Sequence, residues 1–347
     1  MKIALISIKS LIRGVQEVVK KLHKGLNKEG YEVEIIEIGS VYKHKFFSVI
    51  KDDFSQLKNL TNYDAIIYSG SIPWPNHLIL KMKAIPIILF LHGFVHDELF
   101  QMMKHGDTLR IKTGAMVNLV LFEIAKHFNS IDLYILHSLT SCEINGIFNN
   151  FVILPNWIFL EEIFYFNKIE PENKNKLRIV TYTHESPRLM KIENLIEIGK
   201  KLKPLIKQDF EIIIINPKYS FLSDSIKVIK PLPHKKFLSL LASADLYIER
   251  TIDEELGIST IEAMSLGVPV AKLTHPIYLN RHDYKEDIIL ATSFRELVYK
   301  IAEYLNNVDY YHCYYSNRVR KFILEKRTWD HVKIPFLIAL KKITKNN

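Results

Sequence analysis

The residues with the most chemical content lie between positions 254 and 270, where the chain reads EELGISTIEAMSLGVPV. Glu254 falls in a loop after a β-rich run, and Glu262 falls inside the helix that follows, with seven residues between them. Gly257 at the junction carries no side chain to keep a ligand from the backbone. The first turn of the helix, through Ile258, Ser259 and Thr260, presents unpaired N–H groups and the positive end of the helix dipole, a combination that favours a diphosphate. Glu262 lies one turn further in, on the side shared with Ile258 and Ser259, so its carboxylate can reach back to a nearby hydroxyl. One carboxylate before the helix and one within it suit a grip on both ends of a nucleotide sugar. Taken alone, two glutamates read as a capped helix with solvated carboxylates, so the reading rests on what surrounds them.

Such a loop needs a sheet to hold it. The chain alternates short β-rich runs with helical patterns, which points to parallel sheets covered by helices, an α/β fold. Residues 3–8 read as a buried strand. Val15, Val18, Val19, Leu22 and Leu26 then fall at helical spacing, and Gly30 is placed to stop that helix. Strands are expected at 31–38, 64–69, 85–91, 133–137 and 151–154. The polar stretch 167–176, NKIEPENKNK, reads as an interdomain linker. The rhythm then restarts, with strands at 177–183, 210–215, 225–229, 245–249 and 268–273. Helices are expected at 191–206, 235–242 and 257–265, and three helical segments end the chain. The length suits two domains, and ligands bind at strand C-termini in sheets of this kind.

Composition narrows the classes. The chain is 48% hydrophobic and 24% charged, ordinary for a globular protein. Cys142 and Cys313 match no disulfide framework, suit a cytoplasmic compartment, and read as small core residues. No apolar run is long enough for a signal peptide or a membrane span. Of the net charge of +9, most lies in residues 318–347, where nine Lys and Arg face two acids. No nucleic-acid motif accompanies them, so a solvated helix or one near anionic lipid is the expectation, and nucleic acid is not an expected partner. The stretch 41–51, VYKHKFFSVIK, offers a second basic and aromatic segment for peripheral contact with an anionic membrane, or else a short amphipathic helix with its rings turned inward. His92 and His96 are four apart, but His92 ends a strand and Gly93 follows it, so no shared helical face and no metal site are expected.

The spacing Glu-x7-Glu, followed by Ala263-Met264, Gly267 and Pro269-Val270, resembles the signature of retaining glycosyltransferases of the GT-B fold, and more narrowly family 4. Further likenesses follow in order along the chain. Residues 14–19 are similar to the family's Gly-rich loop, and Leu91-His92-Gly93 to the place of a His beside the donor sugar. Leu154-Pro155-Asn156 is similar to the stretch before the linker, and Thr328-Trp329-Asp330 to the start of the last helix. The resemblance implies two facing Rossmann-like domains, an acceptor domain over 1–166 and a nucleotide-sugar donor domain over 177–327. A C-terminal helix over 328–347 would return to the first. It also implies transfer of a sugar from a nucleotide-diphosphate donor to a hydroxyl acceptor, a glycan or a lipid-linked molecule, with retention and without metal or cofactor. By the same carry-over, Glu254 contacts the donor sugar, Glu262 the ribose, and the backbone of Gly257, Ile258 and Ser259 the diphosphate. Gly14 lets its loop approach the phosphates, and His92 meets the sugar near the reacting carbon. Arg188 and Lys191, in the loop after the first strand of the second domain, are candidates to neutralise the diphosphate. The chain departs from the family at Arg13, at Glu255 and Leu256 where the family has Gly and Phe, and at Trp157 where it has Gly. Those departures motivate an alternative, a degenerate protein that binds a nucleotide or glycan without turnover.

Overall fold

The computed structural model describes residues 1–8, 13–38, 60–69, 84–91, 116, 119–120, 122–124, 126–127, 131–166, 169–183, 190–216, 220–223, 225–252 and 254–345. The chain divides into two units, Met1–Pro155 with Val332–Asn347, and Asn156–His331. The first carries a six-stranded parallel sheet of β1 (Lys2–Ile8), β2 (Glu32–Ile38), β3 (Ala65–Ser69), β4 (Ile87–Phe90), β5 (Leu133–Leu136) and β6 (Phe151–Ile153). Its order is β2-β1-β3-β4-β5-β6. The central strands AIIYS, IILF and LYIL are buried along their whole length, as strands covered on both faces must be. β2, EVEIIEI, lies at the edge and exposes Glu32, Glu34 and Glu37. Helix α1 (Arg13–Lys28) turns Val18, Val19, Leu22 and Leu26 inward and ends at Gly30, whose φ of 83° suits a residue without Cβ. A short helix, α2 (Leu139–Ile144), is capped by the Ser138 side chain.

The second unit opens with α3 (Leu160–Phe166) and builds a seven-stranded sheet. Its strands are β7 (Leu177–Tyr182), β8 (Phe210–Ile215), β9 (Phe221–Leu222), β10 (Ile226–Ile229), β11 (Leu246–Glu249), β12 (Val270–Leu273) and β13 (Ile289–Ala291). The order is β13-β12-β11-β7-β8-β10-β9, with only β9 antiparallel. Helices α4 (Ile192–Leu202), α5 (His234–Ala242) and α6 (Ile258–Ser265) connect its strands, and α7 (Phe294–Asn306), α8 (Val308–Lys326) and α9 (Trp329–Lys345) follow. Counted from β7, the six parallel strands run 3-2-1-4-5-6, the doubly wound order, and direction reverses between β7 and β11. The crevice at the carboxyl ends of those two strands is where such a sheet takes its ligands.

The linker at 167–176 was the expected division, but the units part earlier, after Pro155. Ile158, Ile163 and Phe166 are buried in the core of the second unit, which draws 156–166 into it. Trp157, standing where the resembled family has Gly, packs its ring 5.3 Å from Trp329, and Phe159 lies 6.1 Å from the same ring. Ile158 pairs with Thr328 by a β-bridge. Helix α9 runs on from there into the first unit, where Lys333 forms an ion pair with Glu29 at 2.7 Å.

Two sequence expectations change. Cys142 is buried, but Cys313 is exposed, because α8 turns Val319, Phe322 and Ile323 inward and leaves the face of Tyr310, Cys313 and Tyr314 to solvent. The basic C-terminal stretch is also less free than its charge suggests. Arg318 meets Asp287 at 3.3 Å, Arg327 meets Asp283 at 2.7 Å, and Arg320 donates to the Leu266 carbonyl at 2.8 Å. Lys341, Lys342 and Lys345 remain exposed on α9, following Ile334 and Ile338 along the same helix. No helix among the described residues is long and apolar enough to cross a membrane. The basic and aromatic stretch 41–51 lies outside the described residues.

Candidate functional site

The loop of residues 250–257 leaves β11 at the reversal point and ends on α6. It is short and polar, yet two buried charged side chains hold its described residues. Glu249, the last residue of β11, is 1% exposed. Its Oε1 accepts the Thr251 N–H at 2.8 Å, its Oε2 accepts the Gly257 N–H at 3.0 Å, and the Thr260 hydroxyl also donates to Oε2. Lys272, opposite Glu249 in the parallel register of β12, is fully buried. Its Nζ donates to the Thr251 carbonyl at 2.6 Å, to Thr251 Oγ1 at 2.7 Å and to the Glu255 carbonyl at 3.1 Å. Burial pushes the Glu249 carboxyl up, but the Lys272 ammonium, the bonds from Thr251 and Thr260, and the Arg250 charge together hold it below its ordinary value. Glu249 is therefore ionised inside the sheet.

From outside, Asn156 closes the loop. Its Nδ2 donates to Glu255 Oε1 at 2.9 Å and to the Leu256 carbonyl at 3.0 Å. The departure at Glu255 is thereby matched by a partner within the same unit. Tyr284 donates its hydroxyl to the Glu254 carbonyl at 2.8 Å, and its ring lies 4.9 Å from that of His282. Burial and then the nearby Lys272 charge push the His282 imidazole down to about 4, outweighing the pull of Asp283 and of a backbone bond with Glu254. His282 is neutral near pH 7, with Nε2 2.6 Å from Thr274 Oγ1.

Helix α6 then starts with Gly257 as its N-cap residue, at φ −66° and ψ 158°. A Cβ added to Gly257 would stand 3.5 Å from Glu249 Oε2, an ordinary contact, so this glycine faces the buried carboxylate. Thr260 and Ile261 both return their N–H groups to the Gly257 carbonyl. Among the described residues, no acceptor meets the N–H groups of Ile258 and Ser259, and both residues are partly exposed. The Ser259 hydroxyl lies 2.8 Å from that of the fully buried Tyr247, which orients the turn from below. Glu262, 7% exposed, accepts a bond from His234 Nε2 at 2.8 Å, at the start of α5. The result is a turn held by buried hydrogen bonds, with two N–H groups that lack acceptors among the described residues, a carboxylate one helical turn on, and Glu254 in the loop before it.

The fold brings some candidates together and leaves others out of view. Glu254, Gly257, Ile258, Ser259 and Glu262 all lie in the second unit, in the loop before α6 and the first turns of that helix. Lys191 is exposed at the N-cap of α4. Its neighbour Met190 donates its N–H to the Arg250 carbonyl at 2.8 Å, which ties that loop to the end of β11. Arg188 and His92 lie outside the described residues. Gly14 sits in the first turn of α1, in the other unit. Sequence reasoning missed Glu249, Lys272, Arg250 and His234. Arg250 packs over the Tyr182 ring at 4.7 Å and donates to the Tyr182 carbonyl at 3.1 Å, which places a cation at the ends of β7 and β11. A lysine in an otherwise apolar strand, VAKL, was the one available signal for a buried charge pair.

No family model and no curated protein matches the chain by sequence. Solved structures match it in fold. Sucrose-phosphate synthase from Thermosynechococcus elongatus superposes with a TM-score of 0.72 at 14% identity, covering 100% of both chains. A glycosyltransferase from Rickettsia africae gives 0.66 at 15% identity, over 100% of this chain and 99% of its own. The Anabaena protein HepE, in complex with UDP and glucose, gives 0.64 at 12% identity, over 99% of this chain and 100% of its own. The chain shares with them the GT-B fold, two Rossmann-like units with a returning C-terminal helix.

Proposed function

We propose that the protein is a glycosyltransferase that moves a sugar from a nucleotide-diphosphate donor to a hydroxyl acceptor, with retention of configuration, in the manner of family 4. The observation that carries this reading is the first turn of α6. Two N–H groups there lack acceptors among the described residues, at the reversal point of a doubly wound sheet, with Glu254 before them and Glu262 after. UDP is the first nucleotide to test, since the fold neighbour HepE was solved with it.

In this reading the diphosphate accepts from Ile258 and Ser259, Glu262 holds a ribose hydroxyl, and Glu254 holds hydroxyls of the sugar. Lys191 and Arg250 are the described cations of the second unit on the side of the leaving group, and Gly14, His92 and Arg188 are carried over from the family resemblance alone. The bond from the anomeric carbon to the phosphate oxygen breaks with its electron pair on the diphosphate. The acceptor oxygen bonds to the same face, and its proton passes to the departing phosphate. The protein supplies geometry and fixed charge, with no side-chain nucleophile and no metal. The acceptor is a glycan or a lipid-linked hydroxyl. The exposed Ile334 and Ile338, with Lys341, Lys342 and Lys345 beyond them on α9, support a peripheral contact with an anionic membrane at its cytoplasmic face.

The test is the melting shift of the purified protein with nucleoside diphosphates and their sugars. A ligand at one hundred times its dissociation constant stabilises by about 2.7 kcal/mol. One nucleotide series is expected to raise the melting point, and Glu262→Ala to remove most of the rise. Glu254→Ala should cost donor turnover more than nucleotide affinity. Slow hydrolysis of the donor sugar separates an enzyme from a protein that only binds, which would release no sugar.

A further inference from the structure

The carboxylate that shapes the first turn of α6 poses an electrostatic problem for an anionic ligand. Glu249 is ionised and buried, and its Oε2 takes the Gly257 N–H and the Thr260 hydroxyl. It thus places a full negative charge behind the two N–H groups of Ile258 and Ser259. In a poorly screened interior that charge weakens the attraction of the helix end for any phosphate. Lys272 answers it. The two residues are register partners on adjacent parallel strands, and they meet across Thr251. Glu249 accepts the Thr251 N–H, while Lys272 donates to its carbonyl and hydroxyl. The third bond of Lys272, to the Glu255 carbonyl, holds the far side of the same loop. Of the other ionisable groups nearby, His282 is neutral, and Arg250, stacked on Tyr182, adds a smaller share than Lys272 to holding Glu249 charged.

We propose that Glu249 and Lys272 are a charge-balanced positioning pair: the carboxylate sets the shape of the anion-binding turn, and the ammonium cancels its field so that the turn still attracts a diphosphate. The proposal rests on the donor-site reading above. It differs from a purely structural role in one respect. A scaffold pair, once broken, lowers stability and affects every ligand alike, whereas an unbalanced charge acts on the phosphates and spares the nucleoside.

The experiment titrates UDP calorimetrically into wild type, Lys272→Met, Glu249→Gln and the double variant, with uridine measured by displacement of UDP. Unmasking the buried Glu249 charge behind the diphosphate turn should weaken UDP about tenfold or more in Lys272→Met, with uridine changed by less than about twofold. The double variant, neutral again, should recover most of the lost UDP affinity. Equal weakening of UDP and uridine in Lys272→Met, or a double variant no better than the single, overturns the proposal. If Lys272→Met does not fold, the comparison moves to Glu249→Gln and the double variant. The former keeps an unbalanced ammonium and should bind UDP more tightly, and the reverse order overturns the idea. A wild type that binds no UDP defeats the donor-site reading itself, and the proposal falls with it.

Discussion

Glu249, Glu254 and Glu262 are one residue type set to three tasks by their surroundings. Glu262 faces His234 at the rim of the second unit, Glu254 sits in the loop, and Glu249 is sealed behind it. At this scale the clearest prediction concerns His282. Its imidazole titrates at about 4 in the folded chain and near 6.5 when unfolded, so the unfolded state binds the extra proton between those values. The stability held by the neutral ring is complete above about pH 6.5 and is lost as pH falls towards 4. It should amount to about 2 kcal/mol between pH 8 and pH 5. Urea unfolding across that range should show a steeper fall for wild type than for His282→Gln, and parallel curves would remove His282 from the account. The Glu-x7-Glu spacing was legible because it is local in sequence. The partnership of Glu249 with Lys272 was not, since it depends on the register between strands twenty or more residues apart. Nor was the bond from Asn156 to Glu255, which spans 99 residues.

Among the elements, α6 carries the site and is short, so its ends matter. Its C-terminus closes as a Schellman motif, with Val268 donating to Ala263 at 2.9 Å and Gly267 to Met264 at 3.0 Å. Gly267 has φ 78°, and a Cβ there would stand 2.7 Å from Ser316 Oγ and crowd Arg320, whose guanidinium caps the Leu266 carbonyl. Gly267→Ala should therefore destabilise the protein by about 1–3 kcal/mol, as measured by urea unfolding. A change under a few tenths would mean that α6 does not depend on this stop. Runs dominated by β-branched apolar residues, such as FEIIII, announced their strands, and β8 appears at the expected residues. Elements of a few residues did not announce themselves. The 3-10 turn Pro276–Arg281, β9, β13, α2 and α3 are too short for a periodicity and are formed by tertiary contacts.

For the whole molecule, the alternation of strands and helices disclosed two parallel sheets, but not their strand order. The order 3-2-1-4-5-6 is what singles out β7 and β11, and it is a property of pairing between distant strands. The polar run 167–176 looked like the natural division, yet buried Ile158, Ile163 and Phe166 assign the preceding segment to the second unit. The central claim is that a nucleotide diphosphate docks on the first turn of α6 at that reversal point. Amide hydrogen exchange, with and without UDP, reads that turn directly. The Ile258 and Ser259 amides, without acceptors among the described residues, should exchange quickly in the free protein and slow at least about tenfold when phosphate oxygens accept from them. Unchanged exchange at Ile258 and Ser259, with bound UDP slowing amides only elsewhere, would contradict the account.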